Sequence, residues 1–251
     1  MIGRTNNPFK EAYSAIEYVG KLGFDYVEIT LDSFPDLDKI NTPKLNKILK
    51  KYNMKATAHY PWVFQAYFKS STLNQAILKQ FEGLMKNLKK IKTKYVVIHP
   101  PKLGPFERPL IKDSELFAHF RKMAQIAKKN NIKLAIENLP WLNNINEIKK
   151  YLKIPNLYFV LDVGHSNVKK SKSNFEGLLK NFHKKTIAFH ISDNKGEDDH
   201  LMPGKGNTNW KKFFQLVKKY KLQNKPMTIE IGNYPKKDVI KTKKLIEKNI
   251  K

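Results

Sequence analysis

The chain has 251 residues, 41% of them hydrophobic, and sets 48 Lys+Arg against 22 Asp+Glu for a formal net charge of +26. It contains no cysteine, which excludes disulfides and thiolate metal sites and leaves His, Asp and Glu as the ligands for any transition metal. No apolar run approaches the ~20 residues of a membrane span, and the opening MIGRTNNPFKEAY lacks the long apolar stretch of a signal peptide, so the expectation is a soluble, cytoplasmic protein without membrane contact.

In chain order, MIGR (1–4) reads as a short first strand. Residues 8–22 open with Pro8, are followed by Gly23 and read as a helix. The strands DYVEIT (25–30) and MKATAHY (54–60) come next, with no helix predicted between them. A long helix over 72–92 leads to KYVVIHP (94–100), and a second over 114–130 leads to KLAIENL (133–139). A helix over 143–152 precedes LYFVLDVGH (157–165), and one over 174–183 precedes TIAFHIS (186–192). A helix over 209–220, with Asn209 as its N-cap, leads to PMTIEIG (226–232), and a last helix covers 236–249. The strands are nearly continuous in apolar character, which suits strands buried on both faces of a parallel sheet. Eight strands alternating with helices in this length predict a single-domain (β/α)8 TIM barrel over 1–251, in preference to a doubly wound sheet.

The basic charge has two readings. It marks a nucleic-acid binder, or it reflects lysines solvated on helix faces. The lysines are spread through segments such as LMKNLKKIKTK and IEKNIK and do not alternate with aromatics. This favours the second reading, with weak polyanion binding, DNA included, as a side effect.

In a barrel of this kind the active site lies at the C-terminal ends of the strands. Near those ends stand Glu28, His59, His99, Glu137, Asp162 with His165, His190 with Asp198 and His200 beyond it, and Glu230. Any one of them alone is most simply a satisfied structural group. Seven consecutive strands, however, would not each bear the several kcal/mol that an unpaired buried charge costs. A shared divalent cation resolves that cost, and a nitrogen-and-oxygen ligand set with this much histidine points to Zn²⁺ or Mn²⁺ ahead of Mg²⁺ or Co²⁺.

The stretches VVIHP, AIENLP, FVLDVGHSN, HISDNKGEDDH with PGKGNTNW, and TIEIG resemble the superfamily that joins xylose isomerase-like sugar isomerases and epimerases to the endonuclease IV-type AP endonucleases (AP endonuclease family 2). The resemblance spans essentially the whole chain. For the isomerase branch it implies one metal on Glu137, Asp162, His190 and Glu230. For the endonuclease branch it implies three metals on those four plus His59, His99, His165, Asp198 and His200. The strand-6 motif reads DVGH where the endonucleases have D-T-C-H. The loop after strand 7 is short and places Asp199 between Asp198 and His200, and Trp62 stands where a tyrosine is expected. Glu28 matches a strand-2 glutamate of the isomerase branch. The arginine that often follows the strand-7 histidine there is missing, which assigns sugar binding to Lys195 or Lys205.

The resemblance therefore implies, first, a divalent-metal-dependent isomerase or epimerase of a sugar or sugar phosphate. Glu137 and Glu230 would remove and return a proton through an enediolate, His165 would hydrogen-bond the developing oxyanion, and Trp62, Phe64 and Trp141 would wall the sugar. The alternative is phosphodiester hydrolysis at abasic sites in DNA. A lyase or dehydratase on the same residues, or a non-catalytic binding protein, stands behind both.

Overall fold

The computed structural model describes residues 1–169 and 174–250. Strands and helices alternate as β1 (Ile2–Thr5), α1 (Ala12–Lys21), β2 (Tyr26–Thr30), α2 (Thr42–Lys51), β3 (Lys55–His59), α3 (Ser71–Lys90), β4 (Tyr95–Ile98) and α4 (Asp113–Lys129). They continue as β5 (Lys133–Glu137), α5 (Ile145–Leu152), β6 (Leu157–Asp162), α6 (Phe175–Phe182), β7 (Thr186–Ile191), α7 (Trp210–Lys219), β8 (Met227–Ile229) and α8 (Lys236–Ile250). The strands are parallel, and β1 pairs with β8 through Ile2–Met227, Gly3–Thr228 and Arg4–Ile229. That pairing closes the sheet in the order β1 to β8, which makes the fold a single-domain (β/α)8 barrel and rules out an open doubly wound sheet.

Local chemistry explains most element boundaries. Ser70, Asn41, Asn174 and Asn209 each cap a helix by accepting a backbone N–H with the side chain, satisfying donors that the first turn leaves free. Pro8, expected to open α1, lies outside it. Glu11 caps that helix instead, accepting from the amides of Tyr13 and Ser14. Helix α2 is not evident from the sequence because TPKLNKILKK offers only Leu45, Ile48 and Leu49 as a narrow apolar stripe, all three of them buried, and because an Asp- and Pro-rich loop precedes it. The turns from helix to strand pass through left-handed residues: Gly23, Asn53, Lys92, Asn131, Asn156 and Lys221 all have positive φ.

Two apolar layers result from the period-two alternation of side chains along each strand. Outward residues such as Ile29, Val96, Ile98, Leu134, Ile136, Phe159, Leu161, Phe189 and Ile191 pack with the helices in one continuous core. Inward residues Tyr95, Val97, Ala135, Val160 and Ala188 form a smaller cluster inside the barrel. Gly3 belongs to this interior: a Cβ there would lie 2.4 Å from the ring of Tyr26. The missing side chain lets that ring span the barrel, where its hydroxyl pairs with Thr228 Oγ1 at 2.8 Å. Continuing the same alternation toward the strand ends places Glu28, His59, Glu137, Asp162 and His190 inward on one floor.

Candidate metal centre

The floor is built around Glu137, the last residue of β5 and 1% exposed. Its Oε2 lies 3.4 Å from His59 Nε2, 3.2 Å from His99 Nε2 and 3.3 Å from His190 Nδ1, and its Oε1 lies 2.8 Å from His165 Nδ1. His190 Nδ1 also lies 2.9 Å from Glu230 Oε2 and 3.8 Å from Asp162 Oδ2. A second cluster adjoins the first: Asp198 Oδ1 is 3.4 Å from His165 Nε2 and 3.3 Å from His200 Nε2. All nine predicted ligands are thus brought together. Eight of them fall into three groups whose donor atoms lie within 4.8 Å of one another: His59, Glu137 and His190; Glu137, Asp162, His190 and Glu230; and His165, Asp198 and His200. The ninth, His99, touches Glu137 alone of these carboxylates. His99 and Glu230 each stand one residue beyond their strands, where the chain leaves the sheet and the side chain is free to turn over the floor.

The imidazoles are oriented from behind. His59 Nδ1 meets the carbonyl of Tyr60 at 2.9 Å, and His200 Nδ1 meets that of Glu230 at 3.0 Å, so both present Nε2 to the centre. Glu28, expected to touch substrate, instead lies fully buried beneath His190, with Oε1 2.7 Å from its Nε2. Its Oε2 accepts from Thr57, Tyr95 and Thr228 hydroxyls at 3.1, 3.3 and 3.3 Å. A carboxylate behind a histidine in this way fixes which nitrogen carries the proton and which faces a metal.

Sequence reasoning missed two further supports. Asn138 brackets Asp162, accepting its N–H at 2.8 Å and donating to its carbonyl at 2.9 Å. Asp193, fully buried, accepts from the amides of Gly204 and Thr208 and from Trp210 Nε1 at 2.8, 3.1 and 2.9 Å. It thereby ties down the loop that carries Asp198 and His200. The signal for both was the unbroken polar string after an apolar run, in ENLP and SDN.

Burial opposes charge throughout the floor, and the neighbours reverse it at most positions. Burial would lower His59, but Glu137, Glu230 and Glu28 outweigh it and raise it to about 9. His165 and His190 are likewise driven well above the usual imidazole range, against burial, by Asp162 and Asp198 and by Glu28 and Glu137 respectively. Glu137 is held well below the carboxylate range, burial notwithstanding, by His190, His165 and His59. Asp162 differs: burial, reinforced by Glu137 and Glu230, prevails over His165 and His190 and pushes it up to about 6.

The buried carboxylates Glu137 and Asp162 fit a cation. So do Asp162 Oδ2, Glu230 Oε2 and His190 Nδ1, which are buried without an aligned hydrogen bond although they approach one another at 2.9 and 3.8 Å. All three belong to a group whose donor atoms lie within 4.8 Å of one another, close enough for one ion to bridge.

Above the floor opens a cavity of about 690 Å³, walled by Phe9, Trp62, Phe64 and Trp141, with Lys102, Thr5 and Thr30 as its further polar groups. Trp62 and Trp141 line it as expected. Lys195 and Lys205 do not line it and lie exposed on the neighbouring loop. The lysine in the wall is Lys102, whose Nζ sits 5.5 Å from the Trp141 ring centroid.

Comparison with known proteins fits this geometry. The uncharacterized protein MJ1311 of Methanocaldococcus jannaschii is 26% identical over 250 residues, which cover 93% of this chain and 83% of that one. A D-tagatose 3-epimerase-like protein superposes with a TM-score of 0.82 at 21% identity, over 99% of this chain and 96% of the other. An IolI protein solved with a binding zinc atom gives 0.77 at 20%, over 99% and 97%. At these identities the structural likeness establishes the fold alone. Residues 16–251, however, match the family described as xylose isomerase-like TIM barrel, and the chain belongs to that family.

Proposed function

We propose that the protein is a divalent-metal-dependent isomerase or epimerase of a sugar or sugar phosphate. The observation that supports this most is the group Glu137, Asp162, His190 and Glu230 at the floor of an aromatic-walled cavity. These four residues would hold the ion, Zn²⁺ or Mn²⁺ by donor chemistry. When bound, it supplies Lewis acidity that polarises a substrate carbonyl and acidifies the adjacent C–H. Glu137 and Glu230, both within 3.3 Å of His190 Nδ1, are the proton-transfer pair. Glu230, 24% exposed against 1% for Glu137, is the one the cavity reaches first. His165 donates to the oxygen on which negative charge develops. Trp62, Phe64 and Trp141 cover the apolar face of the sugar and exclude water from the site.

The test is a panel of ketohexoses and ketose phosphates, incubated in D₂O with protein loaded with Mn²⁺ or Zn²⁺. Deuterium should enter the carbon beside the carbonyl, and Glu137→Gln and Glu230→Gln should each stop the exchange. The same protein, purified without added metal, should hold about one tightly bound ion per chain.

A second reading is favoured by one observation. His165, Asp198 and His200 form their own donor group, and His59 and His99 adjoin Glu137, which is more than a one-metal proton transfer requires. Three ions per chain together with incision of abasic duplex DNA, and no deuterium uptake by any sugar, would replace the first reading with phosphodiester hydrolysis.

A further inference from the structure

The charge of this chain is concentrated at one end of the barrel. Helices run opposite to strands in this fold, so helix C-termini, the turns after them and the strand starts share the face opposite the cavity. All eight helices carry lysine in the last turn. The following turns and strand starts add Lys55, Lys92, Lys94, Lys133, Lys153 and Lys184, all exposed. Among the described residues the same segments contain only two carboxylates, Asp25 and Glu247. The first is engaged by the Ile2 amide at 2.7 Å, and the second faces Lys243 at 3.8 Å. Glu17, just before the last turn of α1, also reaches this end and pairs with Lys51 at 2.7 Å, leaving the lysines in large excess. Acids gather at the other end instead, as in Asp32, Asp36 and Asp38 or in Glu197, Asp198 and Asp199.

Cations near helix C-termini complement the helix dipole. That accounts for lysine in last turns but not beyond them. Lys92 and Lys221 stand at φ 58° and 57°, in the left-handed position that glycine or asparagine fills at lower cost. Asparagine does fill it at Asn53, Asn131 and Asn156, so charge occupies two turns where the backbone prefers another residue.

We propose that this lysine face binds the phosphate backbone of duplex DNA without reading its sequence, independently of the chemistry at the opposite mouth. A dense array of exposed ammonium groups suits phosphates as point charges. The large exposed aromatics Phe9, Trp62, Phe64, Phe106 and Trp141 lie on loops at the cavity end, whereas at the lysine end Tyr18, in the last turn of α1, is exposed and Tyr52, Tyr158 and Tyr220 are half-buried beneath the ammonium groups of Lys51, Lys133 and Lys219. One exposed ring and three half-buried beneath lysines do not make the run of open stacking platforms that single strands use, nor the apolar surface that anchors a protein in a membrane interface.

The experiment measures binding of a fluorescent duplex DNA to the full chain across a salt series. With about five phosphates neutralised, affinity falls roughly 500-fold between 50 and 200 mM salt. Replacing Lys89, Lys90, Lys128 and Lys129 of adjoining α3 and α4 with Gln should shrink the slope by about 0.9 for each phosphate no longer neutralised and weaken binding at least ~10-fold. Replacing Lys211, Lys236 and Lys237 at the cavity end with Gln should change neither. Melting curves confirm that both variants are folded, and metal content confirms that the floor is intact. The proposal is overturned if duplex DNA does not bind at 50 mM salt, if the cavity-end variant loses as much as the other, or if single strands, duplex RNA or anionic vesicles bind more tightly than duplex DNA.

Discussion

Replacing Glu28 with Gln tests whether the floor is a metal centre, without touching a residue assigned as a ligand. The side chain keeps its shape and loses its charge. Three hydroxyls occupy Oε2 and leave Oε1 for His190 Nε2 at 2.7 Å. In the Gln variant either the amide nitrogen faces the histidine N–H, donor against donor, or a neutral oxygen replaces a carboxylate. Removing a carboxylate behind a metal-bound histidine lowers metal affinity by roughly 10–100-fold, which corresponds to about 1.4–2.7 kcal/mol. A competition titration of Zn²⁺ against a chromophoric chelator at pH 7 reads the effect directly. Affinity within twofold of the parent, in a variant that melts cooperatively, would refute the account of how His190 is held.

Three further outcomes follow from the same geometry. Asp193→Ala strands the Gly204 and Thr208 amides and Trp210 Nε1. At about 1–3 kcal/mol per unsatisfied buried donor it should cost roughly 3 kcal/mol in urea unfolding and disorder the Asp198–His200 donor group before the Glu137 group. An equal loss of metal from both would contradict this. Because His59 is raised to about 9 and His165 and His190 are also raised well above the usual imidazole range, metal must displace protons. Affinity should therefore climb with pH from 6 to 9, and calorimetry in buffers of different ionisation enthalpy should show net proton release at pH 7. Zero release would contradict the assignment. His119 on α4 is buried, packs 5.4 Å from the Tyr67 ring and is lowered to about 4, chiefly by burial. A depressed histidine contributes its full stability above the unfolded value of about 6.5 and loses it as pH falls toward 4, about 2–3 kcal/mol in all. His119→Gln should flatten the unfolding free energy across that window, and an unchanged acid limb would count against the reasoning.

How much was legible in advance depended on the range of the interactions involved. The near-continuous apolar runs are local, and they located all eight strands to within a few residues. Helices with broad apolar faces were equally plain, whereas the narrow stripe of α2 was not. The nine candidate ligands could be placed near one another in advance because a barrel sends the same end of every strand to the same place, so position along each strand stands in for position in space. Lys195 and Lys205 show where that substitution ends: on a loop, sequence distance from His190 does not fix direction, and the chain turned both lysines away while Lys102, from the loop after β4, came to the wall.

The sequence alone therefore determined the (β/α)8 alternation, the identity of the floor residues and the absence of thiolate ligands, since each follows from periodicity or composition. Only the tertiary structure decided that β1 meets β8, that Glu28 supports His190 from below rather than facing substrate, that Asp193 anchors the loop bearing Asp198 and His200, and that acids are scarce at the end where the helices finish although lysines stand at both. The physical reason is closure. Register around the barrel and the packing of turns against its two ends set distances between residues remote in sequence, and no local pattern encodes those distances.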